Sequence, residues 1–233
     1  MEVTKLTLYN SCDIINLRNN SDRRSVIMSK FTDYIGSQFG NPRGIIGKIC
    51  CIIMNVINKK MYTKTVSLIK LPQSSKILDI GYGNGYLLKI LDKCRKKYDL
   101  YGIDISEDMK NQAIKKNKKS MKEGRLHLEI GDCCDLPYTD EMFNAVTSIN
   151  TVYFWNDTLK GLEEINRCLT ADGAFYNVVY TKKWLDKLSY TKKGFKKFEP
   201  QALIDIGYKA GFKNAAVQDI VKGKSFVVIY KKN

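Results

Sequence analysis

The stretch that decides how this chain folds is residues 77–104, ILDIGYGNGYLLKILDKCRKKYDLYGID. The apolar run Ile77–Ile80 predicts a short buried strand, Gly81–Gly85 a tight turn, and Tyr86–Leu91 the first turns of a helix. Leu100–Asp104 predicts a second strand. A strand, a turn, a helix and a second strand in this order form half of a ligand-binding α/β unit with parallel strands.

The turn contains three glycines, Gly81, Gly83 and Gly85. A chain that passes from a parallel strand into a helix within a few residues needs a positive φ or a close approach to a ligand. Glycine allows both because it has no Cβ. A dinucleotide loop has the spacing G-x-G-x-x-G, but here the third glycine comes one residue early and Tyr86 fills its place. The spacing therefore favours a ligand other than a dinucleotide.

Two acids at the ends of the predicted strands indicate what that ligand is. Asp79 would repel a pyrophosphate, whereas it would attract an ammonium or sulfonium group, directly or through a water. Asp104 follows the turn by roughly 20 residues, where a carboxylate accepts hydrogen bonds from both ribose hydroxyls. A cation joined to a nucleoside describes S-adenosylmethionine.

Four parts of the chain resemble motifs of the class I S-adenosylmethionine-dependent methyltransferases, in the order in which that family has them. They are Asp79–Gly85, Gly102–Ser106, Gly131–Tyr138 with Phe143–Val146, and Leu169–Phe175. The chain most resembles the small, ubiquinone-biosynthesis-like subgroup (methyltransferase type 11), which methylates low-molecular-weight acceptors. It departs from the subgroup at Asn144, where an acid is usual, and this departure hardly touches cofactor binding.

The resemblance implies an α/β, Rossmann-like fold with a seven-stranded, mostly parallel sheet, helices on both faces and an antiparallel C-terminal hairpin. With 233 residues, the chain is expected to form a single domain. Residues 1–71 would be a helical N-terminal cover and lid, residues 72–180 the cofactor-binding core, and residues 181–233 the acceptor-side cover and the closing hairpin.

The resemblance also implies the cofactor site. Tyr34 would close over the methionine end of S-adenosylmethionine, Met109 would lie at the adenine ring, and Asp132 would accept the adenine amine. Packing within the lid, packing in the core and capping of a loop are the respective alternatives for these three residues. The expected cofactor-binding residues are Tyr34, Asp79, Gly81, Tyr82, Gly83, Gly85, Asp104, Ile105, Met109, Asp132, Cys133 and Asn150.

An aromatic cluster, Tyr153, Phe154 and Trp155, follows the fourth predicted strand. In this fold the loop after that strand faces both the sulfonium and the acceptor, so the cluster would form a wall of the acceptor pocket. Core packing is the alternative. The expected activity is methyl transfer to a small-molecule acceptor. Tyr34 and Tyr153 are candidates for a general base by location alone.

The net charge of +15 comes almost wholly from lysine. A solvated lysine-rich surface and a nucleic-acid-binding surface are both consistent with it, and the second would make the protein an RNA-modifying methyltransferase. Arginine, which binds phosphate with two hydrogen bonds at once, is scarce, and this disfavours the nucleic-acid hypothesis. A cofactor-binding scaffold without catalysis and a dehydrogenase are further alternatives.

Seven cysteines without C-x-x-C spacing predict neither a disulfide framework nor a metal site. The neighbouring side chains of Cys133 and Cys134 are expected to point apart. An odd cysteine count and the lack of a signal peptide fit a reducing cytoplasm. The apolar run Ile45–Ile57 is too short to span a bilayer, and its helical spacing predicts a helix that packs on the sheet.

Two further helices are predicted within the core. Ser106 would begin a helix over Glu107–Met121, and Asn156 or Asp157 would begin the helix that precedes the fifth strand. The apolar face of that second helix consists of Leu159, Leu162, Ile165 and Leu169.

Overall fold

The structure is a computed structural model that describes Gly36, residues 53–94 and residues 97–233. Strands β1 to β7 are Lys76–Ile80, Asp99–Asp104, Leu126–Ile130, Phe143–Ile149, Leu169–Tyr180, Asn214–Val221 and Ser225–Lys231. Helices α1 to α7 are Lys59–Leu68, Tyr86–Asp92, Glu107–Lys116, Lys118–Lys122, Thr158–Cys168, Lys182–Leu185 and Pro200–Lys209. Short 3-10 helices span Val152–Phe154 and Ser189–Thr191, and residues 53–57 are also helical.

The seven strands form one sheet in the order β3-β2-β1-β4-β5-β7-β6. The pairs from β3 to β5 are parallel, and β7 pairs antiparallel with both β5 and β6. This confirms the predicted Rossmann-like sheet with its closing hairpin. The strand order reverses between β1 and β4, so right-handed crossovers place helices on both faces of the sheet. In such sheets the ligand crevice lies outside the carboxyl ends of the strands at the reversal.

The central strands are buried on both faces. Ile77 and Leu78 of β1 and Phe143 and Val146 of β4 have no exposed surface. Burial on both sides explains why apolar residues follow one another directly at positions 77–78 and 145–146 instead of alternating with polar residues. The two central strands therefore form a rigid base for the turns that leave their carboxyl ends.

The predicted helix over Glu107–Met121 is broken at Asn117, which separates α3 from α4. Asn117 is fully buried. Its side-chain amide donates hydrogen bonds to the carbonyl oxygens of Gly85 and Ala113, at 3.1 Å and 3.0 Å. Ser106 begins α3 as predicted, because its hydroxyl accepts a hydrogen bond from a backbone N–H of the first turn. The break lets a polar side chain of the helix layer hold the glycine turn.

Helix α5 and strand β5 differ in detail from the prediction. Asp157 begins α5 as expected by accepting a hydrogen bond from a first-turn N–H, and Leu162 and Ile165 are fully buried. Leu159 is 36% exposed, so it does not belong to the buried face. Strand β5 begins directly at Leu169 and absorbs the expected turn as an irregularity in its pairing with β4.

The apolar run before α1 does not pack as predicted where the structure describes it. Ile53, Val56 and Ile57 are 52%, 72% and 50% exposed, so they face solvent and not the sheet. The rest of the run, residues 45–52, lies outside the described residues. Among the described helices, none combines the length and the apolar character that crossing a bilayer requires.

Candidate functional site

A cavity of about 310 Å³ lies at the carboxyl ends of β1, β2 and β4. Its volume falls at the lower end of the range for ligand sites, about 300 to 1,000 Å³. The predicted cofactor residues that line it are Asp79, Gly81, Tyr82, Gly83, Asp104, Ile105, Met109, Asp132, Cys133 and Asn150. Tyr153, Phe154 and Trp155 line it too. Gly85 does not, and Tyr34 lies outside the described residues.

The three glycines of the turn have positive φ angles, 66° at Gly81, 52° at Gly83 and 71° at Gly85. A Cβ at Gly81 would overlap the side chain of Thr151, and one at Gly85 would lie 2.6 Å from the amide nitrogen of Asn117. A Cβ at Gly83 would meet no atom within 4 Å. Gly81 and Gly85 therefore serve close packing inside the protein, whereas Gly83 leaves its backbone open to the cavity.

Asp79 is a buried carboxyl group at the end of β1. It accepts a 2.8 Å hydrogen bond from the hydroxyl of Thr147, its partner across the β1–β4 pairing. Burial and the nearby Asp104 raise the pKa of Asp79 to about 7, against the lowering effect of Thr147. Ionisation of this carboxyl is therefore sensitive to any charge in the cavity, and a bound cation would favour the ionised form.

Asp104 joins the glycine turn to the end of β2. One of its carboxylate oxygens accepts a hydrogen bond from Gly83 N at 2.8 Å, and the other accepts one from Ser106 N at 2.9 Å. Burial raises the pKa of Asp104, while these backbone donors lower it. A carboxylate can accept about four hydrogen bonds, and the three backbone donors Gly83, Ser106 and Ile105 leave capacity for a ligand hydroxyl. Ile105 beside it is 56% exposed and offers an apolar surface to the cavity.

Asp132 follows β3 and faces the cavity. Its carboxylate accepts hydrogen bonds from Cys134 N at 2.9 Å and from the amide of Asn156 at 3.1 Å, and the first of these is the main cause of its lowered pKa. Asp132 therefore caps its own loop, which was the alternative to binding of the adenine amine. It also lies at the cavity, and its contact with adenine stays a prediction.

The thiols of Cys133 and Cys134 and the carboxylate of Asp132 lie within 4.8 Å of one another. The expectation that the two thiols point apart is therefore wrong. Burial raises the pKa of both thiols, so they are neutral near pH 7. Metals bind the thiolate form, and this environment favours packed thiols.

Asn150 and Tyr153 form a hydrogen-bonded unit beyond β4. Asn150 has a positive φ of 61°, and its side-chain oxygen accepts a 3.0 Å hydrogen bond from the Tyr153 hydroxyl. The same hydroxyl accepts a hydrogen bond from Tyr180 N. Burial raises the pKa of Tyr153 well above its ordinary value. A phenol that is buried, doubly hydrogen-bonded and harder to ionise is a poor general base, so the geometry disfavours that role for Tyr153.

The three predicted aromatic residues are divided between cavity and core. Phe154 contacts Phe195 edge to face, with ring centroids 4.7 Å apart, and both line the cavity. Trp155 also lines it, but its ring stacks on Phe175 of β5 at 6.4 Å and it is only 6% exposed. Phe154 is therefore more open to the cavity and Trp155 packs mainly in the core, and the role of the cluster as a wall of the acceptor pocket stays a prediction.

The sequence did not identify two contacts of residues that precede the sheet, those of Asn58 and Gly36. Asn58 is 3% exposed, and its side-chain oxygen accepts a hydrogen bond from the Tyr180 hydroxyl. Gly36 lies so close to Tyr190 that a Cβ there would overlap the tyrosine carbonyl oxygen. The contact between Thr147 and Asp79 could have been predicted from the register of β1 against β4. Nothing in the sequence around Asn58 indicates that it contacts Tyr180.

Comparisons with known proteins agree with this geometry. The methyltransferase domain family matches residues 78–177. The chain is similar to YrhH of Bacillus subtilis (strain 168), whose name assigns it to the methyltransferases, with 34% identity over 120 residues that cover 52% of this chain and 66% of that protein. It is also similar to the ubiquinone/menaquinone biosynthesis C-methyltransferase UbiE of Citrifermentans bemidjiense, with 30% identity over 118 residues that cover 50% of each.

These matches span about one half to two thirds of the length of the curated relatives. Among solved structures, the chain is similar to an S-adenosylmethionine-dependent methyltransferase of Thermotoga maritima, described as a possible histamine N-methyltransferase. The TM-score is 0.63 and the identity 19%, over 87% of this chain and 100% of that one. At this identity the likeness shows a shared fold.

Proposed function

Because the chain belongs to the class I S-adenosylmethionine-dependent methyltransferases through its methyltransferase domain, we propose that it transfers a methyl group to a small-molecule acceptor. The observation that supports this proposal is a single cavity with carboxyl groups and open glycine backbone at one end and aromatic side chains at the other. The first end suits a cationic nucleoside, and the second suits an apolar or planar acceptor.

The residues at the first end fit S-adenosylmethionine, the cofactor of the family. No described lysine or arginine forms an ion pair with the buried carboxyl of Asp79, so it is available to balance the positive charge of the cofactor. Asp104 keeps hydrogen-bonding capacity for ribose hydroxyls. Ile105 and Met109 line the same end with apolar surface for the adenine ring, and Gly83 permits close backbone approach.

When bound, the cofactor supplies a methyl group on a sulfonium that is already activated for transfer. The remaining task of the protein is to hold the acceptor in line and exclude water, and such orientation supplies roughly 7 to 11 kcal/mol of the barrier. Phe154 and Phe195 would form the wall for this.

A protein base is not part of the proposal. At the aromatic end, burial raises the pKa values of Tyr153, Tyr180 and Tyr190. Raised values make these phenols poor proton acceptors near pH 7. The acceptor is therefore expected to be nucleophilic without losing a proton to one of them.

Calorimetric titration with S-adenosylmethionine tests the cofactor site. We expect the wild type to bind it and Asp104→Asn to bind it at least about tenfold more weakly, because a carboxylate that hydrogen-bonds the ribose is lost. Asp219→Asn, an exposed acid on the far hairpin, is the matched control and should bind normally. Thermal unfolding of both variants verifies folding. Lack of binding by the wild type would end the proposal.

Release of S-adenosylhomocysteine with a panel of apolar and planar acceptors then tests turnover, and any turnover excludes a scaffold without catalysis.

The net charge of +15 supports RNA as a second candidate acceptor. That candidate predicts RNA binding that weakens steeply with salt, and it is excluded if RNA is not bound at low ionic strength.

A further inference from the structure

The helical residues 53–57 have an exposed apolar face made of Ile53, Val56 and Ile57. Their exposed fractions are 52%, 72% and 50%, and their spacing of three and four residues places them on one side of the helix. Met54 and Asn55, on the other side, line the cavity. The described part of this helix therefore lies between the cavity and solvent and directs three β-branched apolar side chains outward. Contiguous exposed apolar surface of this kind marks interaction sites.

Lysines without acidic neighbours in the sequence follow this apolar face. Residues 53–71 contain four lysines, at positions 59, 60, 64 and 70, and no aspartate or glutamate. Lys59 and Lys60 follow the apolar face directly and are exposed. Neither forms an ion pair with a residue that the structure describes. An apolar centre with a cationic border is complementary to a surface that is apolar inside and anionic outside.

A second basic surface lies beside the cavity, next to Tyr180. The Tyr180 hydroxyl donates a hydrogen bond to the side chain of Asn58, next to the apolar face. The ammonium group of Lys224 lies 5.8 Å from the ring of Tyr180 and 4.5 Å from that of Trp184. The segment that contains Trp184, residues 182–197, has seven lysines and one acid, Asp186. Lysines and a tryptophan thus extend the cationic border to the other side of the cavity.

We propose that the apolar face and its border of lysines dock the protein on an anionic lipid surface, with the cavity directly behind the docking helix. Apolar side chains that enter the headgroup region and lysines that attract anionic lipids are the two contributions that interfacial binding requires. A nucleic acid fits less well, since the exposed centre of the surface consists of isoleucine and valine, which offer no flat ring on which a base could stack, and the ring of Trp184 is already covered by Lys224. The proposal concerns binding alone and does not depend on methyl transfer.

Flotation with lipid vesicles tests the proposal. The wild type is expected to float with vesicles of phosphatidylglycerol and phosphatidylcholine and to bind phosphatidylcholine alone much more weakly. The double variant Ile53→Asn and Ile57→Asn should lose at least about tenfold in partition onto the anionic vesicles. Tyr208→Asn is the matched control, because Tyr208 is 49% exposed on α7 and lies outside the proposed surface.

A second pair of variants separates local from overall charge. Lys59→Glu with Lys60→Glu should weaken binding to anionic vesicles about tenfold or more. Lys118→Glu with Lys119→Glu changes the net charge equally at another exposed lysine pair and should leave binding within about twofold. All variants are checked for folding by circular dichroism and for binding of S-adenosylmethionine.

Three results would overturn the proposal. The first is a wild type that does not bind anionic vesicles. The second is a control, either Tyr208→Asn or the variant at Lys118 and Lys119, that loses as much binding as the test variants. The third is RNA binding that depends on Lys59 and Lys60 in a protein that does not bind vesicles. Vesicle binding in a protein that does not bind S-adenosylmethionine would contradict the proposed function and leave this proposal standing.

Discussion

The two ends of the cavity are built in different ways. At the glycine turn, backbone conformation and buried carboxyl groups set the shape, and Gly81 and Gly85 have φ angles that other residues rarely adopt. At the aromatic end, side chains from separate segments, such as Phe154 and Phe195, form the wall. A wall of side chains can be reshaped one residue at a time, whereas the turn tolerates almost no substitution. The first end is therefore the more constrained of the two, and the second is the one in which single substitutions can alter the shape of the cavity.

Alanine in the turn should give the largest effects. Gly81→Ala combines a positive φ with overlap on Thr151, and we expect it to lower the free energy of unfolding by about 3 kcal/mol or more. Gly83→Ala has open space around the new methyl group and should lower it by about 1 to 2 kcal/mol, yet abolish cofactor binding by filling the cavity. Urea unfolding and calorimetric titration measure the two quantities.

Gly124→Ala is the control for these substitutions. Gly124 lies far from the turn, has a φ of 67°, and has open space where the new methyl group would stand. The variant should lose about 1 to 2 kcal/mol, as Gly83→Ala does, and bind the cofactor normally. If Gly83→Ala also bound the cofactor normally, the open backbone at that position would not be a contact surface.

Asp79→Asn should separate stability from binding. The pKa of Asp79 is about 7 in the folded protein against 3.8 for a free carboxyl, so between these pH values the unfolded chain ionises while the folded protein stays protonated. Stability from this group is present below about pH 4 and is lost as the pH rises through 7. At pH 8 we expect Asp79→Asn to be more stable than the wild type by roughly 2 to 4 kcal/mol and to bind S-adenosylmethionine more weakly.

Urea unfolding of Asp79→Asn and wild type at pH 4 and pH 8 measures this difference. The two proteins should be nearly equal at pH 4 and diverge at pH 8. Parallel pH dependence of the two would mean that burial does not perturb the Asp79 carboxyl, and its proposed role beside a cation would lose its support.

Phe195→Ala should weaken binding at the aromatic end of the cavity and leave cofactor binding unchanged. The loss of the edge-to-face contact with Phe154 and of lining surface is expected to raise KM for the acceptor about tenfold, with the Kd of S-adenosylmethionine unchanged. Phe198→Ala is the control, because Phe198 lies in the same segment, is partly buried and does not line the cavity. An equal rise of KM in both variants would contradict the assignment.

Tyr153→Phe should have the smallest effect. It removes a hydroxyl that bonds to Asn150 and Tyr180 N, and we expect a loss of about 1 to 2 kcal/mol in the free energy of unfolding. Since the pKa of Tyr153 is raised well above its ordinary value, the pH dependence of the methylation rate should not change. If the wild-type rate rose with pH as a tyrosine ionised and Tyr153→Phe lacked that rise, Tyr153 would be restored as a base.

The same comparison explains how much the sequence could predict. The glycine turn, the strands on either side of it and the acids at their ends follow from local patterns, because a strand, a turn and a helix each bear a short-range signature. The architecture of the sheet was predicted from the resemblance to a family. The break at Asn117 and the contact between Asn58 and Tyr180 join residues distant in sequence. Such pairs depend on tertiary packing, which no local pattern encodes. The exposed Ile53, Val56 and Ile57 had the period of a buried helix, and period alone does not tell which side is covered.

The contact between Gly36 and Tyr190 has a consequence for how this protein could be re-engineered. Gly36, which precedes the sheet, meets Tyr190, which follows its parallel strands and lines the cavity, at a point where residue 36 must lack a Cβ. A graft that imports only one of these two segments from a relative would bring a mismatched surface to that point. Exchange of acceptor preference between relatives should therefore succeed when both segments are transplanted together.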